Sequence, residues 1–360
     1  MKILVAYDGS VCGDGALYDL ASAGLPAQAD VYVVTFSHPY PRFIPSLEPG
    51  AAGWAEGPES DRAEQAPETL AEAESMAERA GRYLASRFPG WKIRAKALPD
   101  LPAQGILSQS EAWKPNLIVV GTHGRSSLGR LILGSVSHKV LMHSRFPVRL
   151  SRARIGADPS APRILLAMDG SPGSFAAVDA VASRQWPRDT AIRILAVVDT
   201  RQAMEGVLYG SRRPGERRAE RGGGSRSWID KRLKEAAAKL SSKGLTVTQE
   251  IRLGEPRRAI LRAAKEWPAH CIFMGSRGLN PFQRFLMGSV STAVAFHAAC
   301  SVEVVRKAKA PATGTPEDPA NGAAAKGKAA ALRISARIRK RSALRGSIAP
   351  SKGKSPLRAR

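Results

Sequence analysis

Short runs of adjacent apolar residues alternate along the chain with stretches in which apolar positions recur every three or four residues. Each change of period marks a change of element. Apolar runs predict strands at 2–7, 30–36, 92–97, 116–120 and 147–151, and helical spacing predicts helices at 12–23, 68–87, 102–113 and 135–144 between them. The second half repeats this order, with strands at 163–168, 190–198, 246–252, 270–274 and 301–306. Strands that are apolar on both faces and joined by helical crossovers imply a parallel sheet covered on both sides. The expected fold class is therefore α/β: two tandem Rossmann-like, doubly wound domains, each with a five-stranded parallel sheet. In such folds ligands bind beyond the carboxyl ends of the strands, where strand order reverses.

The two halves also repeat as sequence. ILVAYDGS at 3–10 answers to ILLAMDGS at 164–171, and LIVVGTHGRSSLGRLILGSVS at 117–137 answers to CIFMGSRGLNPFQRFLMGSVS at 271–291. Gly121, Gly124, Gly134 and Ser135 thus correspond to Gly275, Gly278, Gly288 and Ser289, at the same spacings. Two copies of one domain, differing by a few loop residues, explain this. We place them at 1–152, with an insertion at 37–67, and at 163–306, with an insertion at 200–227. The first insertion holds six prolines, and the second holds the basic, Gly-rich run Arg212–Arg226, read here as a loop.

Asp8 and Asp169 follow the first strand of each copy, and the glycine motif follows the fourth, so both fall at the predicted crevice. Gly-x-x-Gly permits close approach of backbone N–H groups to a ligand, and the later Gly-Ser opens a helix. The start of that helix offers unpaired N–H donors and partial positive charge, to which Ser135 and Ser137, or Ser289 and Ser291, add hydroxyls. This suits phosphate oxygens. The aspartate across the crevice can accept from ribose hydroxyls or hold a divalent cation. An ordinary N-cap is the blander reading of each Gly-Ser, but its duplication, with the aspartate and the spacing retained, favours a nucleotide.

Charge adds a separate element. The 360 residues carry 55 Lys+Arg against 31 Asp+Glu, formally +24. Residues 1–150 hold 15 of each sign, residues 151–306 hold 26 basic and 14 acidic, and residues 307–360 hold 14 basic and 2 acidic with no aromatic residue. The last segment has too few large apolar side chains to offset the entropy of ordering, so a disordered basic tail is expected. Nonspecific contact with nucleic acid through residues 307–360 is the partner chemistry that this charge suggests. No apolar run is long enough to span a bilayer, so no membrane partner is expected. Cys12, Cys271 and Cys300 are odd in number and far apart, which points to a reducing, cytoplasmic compartment rather than to a disulfide framework or a thiolate metal site.

With Asp-Gly-Ser after strand one and Gly-x-x-Gly-(nine)-Gly-Ser after strand four in each copy, the chain resembles tandem universal stress proteins of the ATP-binding branch. The resemblance covers about residues 1–152 and 163–306 and leaves the tail unmatched. It implies ATP, with or without Mg, as cofactor and a stress-response or signalling role. It further implies that Asp8 and Asp169 contact ribose or base, and that Phe36 and Val197 at the end of strand two approach the adenine. Val120 and Met274 would lie under the nucleotide, while the glycines, the serines and the intervening Val136 and Val290 hold the phosphates. Pairing through the last strands is implied as an intrachain pseudo-dimer, with homodimerisation left open. This chain departs from the pattern in three places. Pro99-Asp100-Leu101-Pro102 replaces the turn that the second copy keeps as Gly254-Glu255-Pro256. Phe36 stands where a smaller aliphatic residue is usual and would narrow the first adenine slot. Asn280 and Pro281 replace a Gly- or Ser-rich loop.

Other chemistries fit less well. Gly-x-Gly-x-x-Gly does not follow strand one, which argues against a dinucleotide dehydrogenase. Gly353-Lys354-Ser355 lacks the first glycine of a phosphate loop, since Ile348 stands there. His138 and His143 are five apart and do not share a helix face, and no metal centre is expected. His123 answers to Arg277, so no catalytic histidine is common to both copies, while Arg130 and Arg284 are candidate phosphate clamps. No dedicated general base or nucleophile accompanies the glycine loop, which favours a non-catalytic binder over a slow ATPase or nucleotidyl transferase.

Overall fold

The computed structural model describes residues 1–37, 69–122, 133–152, 161–199, 224–278 and 287–306. Gly124, His123, Arg130, Arg284, Asn280, Pro281, most of both insertions and the tail 307–360 lie outside the described residues. The first half runs β1 (Lys2–Ala6), α1 (Val11–Asp19) with a single 3-10 turn at Leu20–Ser22, β2 (Ala29–Ser37), α2 (Leu70–Arg87), β3 (Trp91–Pro99), α3 (Pro102–Trp113), β4 (Leu117–Gly121), α4 (Ser135–His143) and β5 (Val148–Ser151). The second runs β6 (Arg163–Met168), α5 (Pro172–Ala182), β7 (Ala191–Val198), α6 (Gly224–Ser241), β8 (Thr246–Leu253), α7 (Pro256–Glu266), β9 (Cys271–Gly275), α8 (Ser289–His297) and β10 (Ser301–Val305).

The helices begin where local chemistry predicts. Ser10, Thr69, Ser171 and Glu255 accept from backbone N–H groups as N-caps of α1, α2, α5 and α7. Pro102, Pro172 and Pro256 occupy first-turn positions in which a missing N–H costs nothing. One expectation is corrected: α6 starts at Gly224, so the run read as loop through Arg226 is already helical at its end. Burial of Ile229, Leu233, Ala236 and Leu240 along one stripe gives this helix a tertiary reason to form that its Gly- and Arg-rich first turn lacks.

All ten strands form one sheet in the order β3-β2-β1-β4-β5-β10-β9-β6-β7-β8. Each half is parallel throughout, as expected for a doubly wound unit, and only the β5–β10 junction is antiparallel. Strand order reverses at β1/β4 in the first half and at β6/β9 in the second, which fixes two crevices.

The two faces of the sheet differ at the seam. On the face covered by α3, α4, α7 and α8, one apolar cluster runs across both halves, from Leu4 and Val34 through Leu150 and Val302 to Leu195. On the opposite face the apolar residues form two separate clusters, one per half. Between those clusters lie buried Asp19, Arg149, Ser151 and Glu303.

Candidate functional site

Each crevice begins with the turn that leaves the first strand. Asp8 Oδ1 accepts from the Ser10 backbone N–H at 3.0 Å and from its hydroxyl at 2.6 Å, while Ser10 Oγ accepts from Gly13 N–H at 3.0 Å. In the second copy Asp169 Oδ1 accepts from Ser171 N–H at 3.0 Å, and Ser171 Oγ accepts from Ser174 N–H at 3.2 Å. Gly9 and Gly170 sit between at φ 72° and 76°, a region that disfavours any side chain. Asp-Gly-Ser is thus a turn device as well as a carboxylate presented at a strand end.

The fourth strand exits against this turn at backbone contact. A Cβ on Gly121 would lie 2.8 Å from the Cys12 carbonyl oxygen, and one on Gly275 would lie 2.6 Å from that of Gly173. Both glycines are therefore needed for packing. Gly278 lies over the acid itself, since a Cβ there would be 2.6 Å from Asp169 Oδ2. The structure thus brings the strand-one carboxylate and the second glycine of the motif together in the second copy; Gly124 lies outside the described residues.

The helices that follow have a different glycine logic. Gly134 and Gly288 are the N-caps of α4 and α8, at φ −61°, ψ 154° and φ −84°, ψ 159°, which any residue can adopt. A Cβ on Gly288 would meet its nearest neighbours at 3.5 Å, an ordinary contact. Neither helix has a side-chain cap, and among the described residues no neighbour of residue 288 demands glycine. Each helix start is tied back to the exit of the fourth strand, with Gly134 N–H donating to Thr122 O and Gly288 N–H to Ser276 O, both at 2.7 Å. Ser135 and Ser289 are exposed at the first helical position, and Val136 and Val290 are half-buried against the shared core.

Two of the expected phosphate donors are otherwise engaged. The buried Ser137 hydroxyl donates to Gly121 O at 2.6 Å, and the Ser291 hydroxyl lies 3.0 Å from both Ser276 O and Gly288 O. These serines tie the helix start to the exit of the fourth strand, a role that spacing alone does not reveal.

Val120 and Met274 are buried beneath the glycines, and Val197 is half-buried at the end of β7. Phe36 is 5% exposed, and a Cβ on Gly105 of α3 would overlap its ring. That ring is spent in the core, so residue 36 offers a ligand its backbone. The counterpart positions hold Val197 and Ala259, a smaller strand-end residue than Phe36 and a larger helix residue than Gly105.

Tyr7, which the sequence did not single out, donates its hydroxyl to Asp14 Oδ1 at 2.7 Å. Burial, reinforced by Asp14, pushes its phenol up to about 12. Met168 holds this place in the second copy, so the two turns differ chemically. Among the described residues no group of three His, Cys, Asp or Glu side chains comes together to hold a metal. Two clefts of about 390 Å³ lie elsewhere, one at Arg184–Arg188 with Lys243–Leu245 and one between α7 and α8. Neither has the crevice chemistry, and residues flanking the crevices lie outside the described set.

Two doubly wound units joined through their fifth strands, each with an acid and a glycine-opened helix at its switch point, define a tandem Rossmann-like pseudo-dimer with one crevice per half. Residues 1–152 and 161–306 match the universal stress protein family, and the chain belongs to it. A Staphylococcus haemolyticus protein named as a universal stress protein is 30% identical over 156 residues, 43% of this chain and 90% of the relative. A universal stress protein of Mycobacterium tuberculosis is 40% identical over 76 residues, 19% of this chain and only 25% of the relative. The crystal structure of a universal stress protein from Archaeoglobus fulgidus aligns with 85% of this chain and 98% of its own at a TM-score of 0.54 and 20% identity, a likeness of fold. Family membership supports a general role in stress response or signalling. Among the described residues no helix is long and apolar enough to cross a membrane.

Proposed function

We propose that this chain binds adenine nucleotide, ATP being the ligand that fits best, in at least one crevice, and acts as a stress-response or signalling module whose occupancy is read by partners. The observation that carries this reading is the pair of N-cap glycines. Gly134 and Gly288 adopt conformations open to any residue, yet both helices lack the Ser or Thr that caps α1, α2 and α5. Glycine at both starts leaves the first N–H groups bare, which permits close approach of a phosphate. ATP would lay its phosphates on Gly134, Ser135 and Val136, or on Gly288, Ser289 and Val290. Asp8 or Asp169 would accept from its ribose, over a floor of Val120 or Met274. Bound ATP supplies negative charge that completes the helix dipole; the protein residues position it and do no bond-breaking in this reading.

Equilibrium titration of the full chain with ATP tests this, using Gly134→Val, Gly288→Val and the double variant. Valine fits the backbone at both positions but covers the donors. A single variant is expected to abolish binding in its own crevice wherever that crevice binds, and the double variant all binding, at a cost in stability of about 1 kcal/mol per site. Binding that survives the double variant, or is absent from the parent at millimolar ATP, would sink the proposal. Phosphate release measured on the same samples separates a binder from a slow ATPase.

A further inference from the structure

The seam between the halves is built from equivalent residues with opposite properties. Ile118 pairs with Val148 as Ile272 pairs with Val302, so Val148, Arg149 and Leu150 are the counterparts of Val302, Glu303 and Val304. In the antiparallel ladder Leu150 faces Val302, Arg149 faces Glu303 and Val148 faces Val304. The pseudo-two-fold axis therefore passes between Arg149 and Glu303, which are 0% and 1% exposed. Any half paired with a second copy of itself would set this residue against its own kind.

The surrounding charges are matched to the mixed pair. Arg149 Nε and Nη2 donate to the two oxygens of Asp19 at 2.6 and 3.1 Å, and its Nη1 donates to Glu303 Oε2 at 3.2 Å. Arg184 donates to the other Glu303 oxygen and, at 2.7 Å, to Ala23 O in the first half. Asp19 and Arg149 come from one half, Arg184 and Glu303 from the other, so each half is neutral by itself and the mixed pair adds the Arg149–Glu303 contact. Two first halves would instead set guanidinium against guanidinium at the axis, and two second halves carboxylate against carboxylate, in a dry site.

Shape repeats the asymmetry independently. With the 161-residue offset, Gly24 is the counterpart of Gln185 and Leu25 that of Trp186. The Trp186 ring lies over Gly24, whose Cβ would be 2.6 Å from it. Gln185 N–H donates to Gly24 O at 2.9 Å, and Gln185 Oε1 accepts from Ala27 N–H at 3.0 Å. The second half supplies the knob and the first half the hole. Two first halves would have no tryptophan for the hole, and two second halves would set Trp186 against Gln185.

We propose that these residues encode heterotypic pairing: the fifth-strand surface of each half accepts the complementary half and rejects a second copy of its own kind. The tandem chain thereby closes on itself, and its seam is not a site for homodimerisation. Specificity of this sort needs repulsive elements as well as attractive ones, and the axis residue and the Trp186 knob provide both.

A specific protease site placed within residues 153–160 of the full chain tests this. The folded chain is cut, mixed with isotope-labelled cut chain until labels exchange, and read by native mass spectrometry. Only mixed pairs, one first half with one second half, are expected, against the ratio of about one to two to one for random association. With Glu303→Gln and Arg184→Gln together, and more so with Trp186→Ala added, pairs of second halves should rise at least about tenfold, while pairs of first halves stay excluded by Arg149. Homotypic pairs of the parent at the random ratio, or halves that part as monomers, would overturn the proposal. So would variants that release both homotypic pairs equally.

Discussion

Replacing Arg149 by Met puts the buried seam to a quantitative test. Burial alone would lower the pKa of this guanidinium, but Asp19, Cys271 and Glu303 more than offset that, and its pKa stands well above the ordinary value. Met fills much the same volume and leaves Asp19 with the Ser151 hydroxyl at 2.8 Å as its remaining side-chain hydrogen bond. The seam then holds two acids and one arginine. Breaking a buried pair by removing one partner costs about 3–5 kcal/mol, because a charge stays buried without compensation. At roughly 2.1 cal/mol/K of unfolding entropy per residue, about 300 residues unfolding together convert that into a fall in Tm of about 5–8 °C.

Adding Asp19→Asn gives the sharper measurement. The double variant retains the Arg184–Glu303 pair, so the buried charges balance again and most of the loss should return. Urea unfolding followed by circular dichroism measures all three proteins. A loss below about 1 kcal/mol for Arg149→Met, or a double variant no more stable than the single, would refute the reasoning.

Three further outcomes follow from individual contacts. Gly105→Ala should cost about 1–3 kcal/mol by driving a methyl into the Phe36 ring, and adding Phe36→Val should recover most of it by reproducing the Val197–Ala259 pair; urea unfolding reads both. Burial raises the Cys271 thiol and pushes Cys300 up to about 12, so a thiol-specific chromogenic reagent near pH 8 should leave both largely unreacted in the folded chain and titrate them on unfolding. Tyr7 is held neutral by burial and Asp14, with a folded value near 12 against 10 for an ordinary phenol. Its contribution is therefore present below pH 10 and lost as pH rises toward 12; Tyr7→Phe should flatten that part of the alkaline unfolding curve.

The sheet was legible because Val5, Val33, Val119 and their neighbours are apolar on both faces, which leaves a continuous run where a surface strand would alternate. The crevices were legible because turn chemistry is local: Asp8-Gly9-Ser10 and its repeat carry their own hydrogen bonds. Side-chain direction was not. Phe36 reads as an obstruction at a strand end, and only the closeness of Gly105, about seventy residues on, shows that its ring turns into the core. Ser137 and Ser291 likewise read as donors to a ligand, but each meets a carbonyl fifteen or sixteen positions back, and Ser291 also meets Gly288 O in its own turn. The start of α6 escaped notice because Arg- and Gly-rich residues carry no apolar period, and the stripe that anchors the helix begins at Ile229. Arg149 and Glu303 are visible as charges inside apolar strands. That they face each other depends on how two strands some 150 residues apart align, which no local pattern records.

The seam and the crevices are mechanically one structure. Arg152 and Arg306 are counterparts at the ends of the fifth strands. Arg152 donates to Ala295 O at 2.7 Å and to Phe296 O at 3.4 Å, in the last turn of α8. Arg306 donates to Leu141 O in the last turn of α4 and to Phe146 O at 3.1 Å. Burial draws both guanidinium groups down to about 10, which leaves them charged at neutral pH. Each helix whose N-terminus opens on a crevice therefore has its C-terminal carbonyls closed by a cation from the other half. An anion at the first end and a guanidinium at the second act on the same helix dipole in the same sense. His138 of α4 and Phe296 of α8 meet edge to face at 5.0 Å between those ends, so the two helices also touch each other across the seam. A half separated from its partner would keep its acid and its glycines but lose the arginine that steadies the helix they open. Fusion of the copies, with charge and shape that admit only the mixed pair, makes that support a permanent part of each crevice.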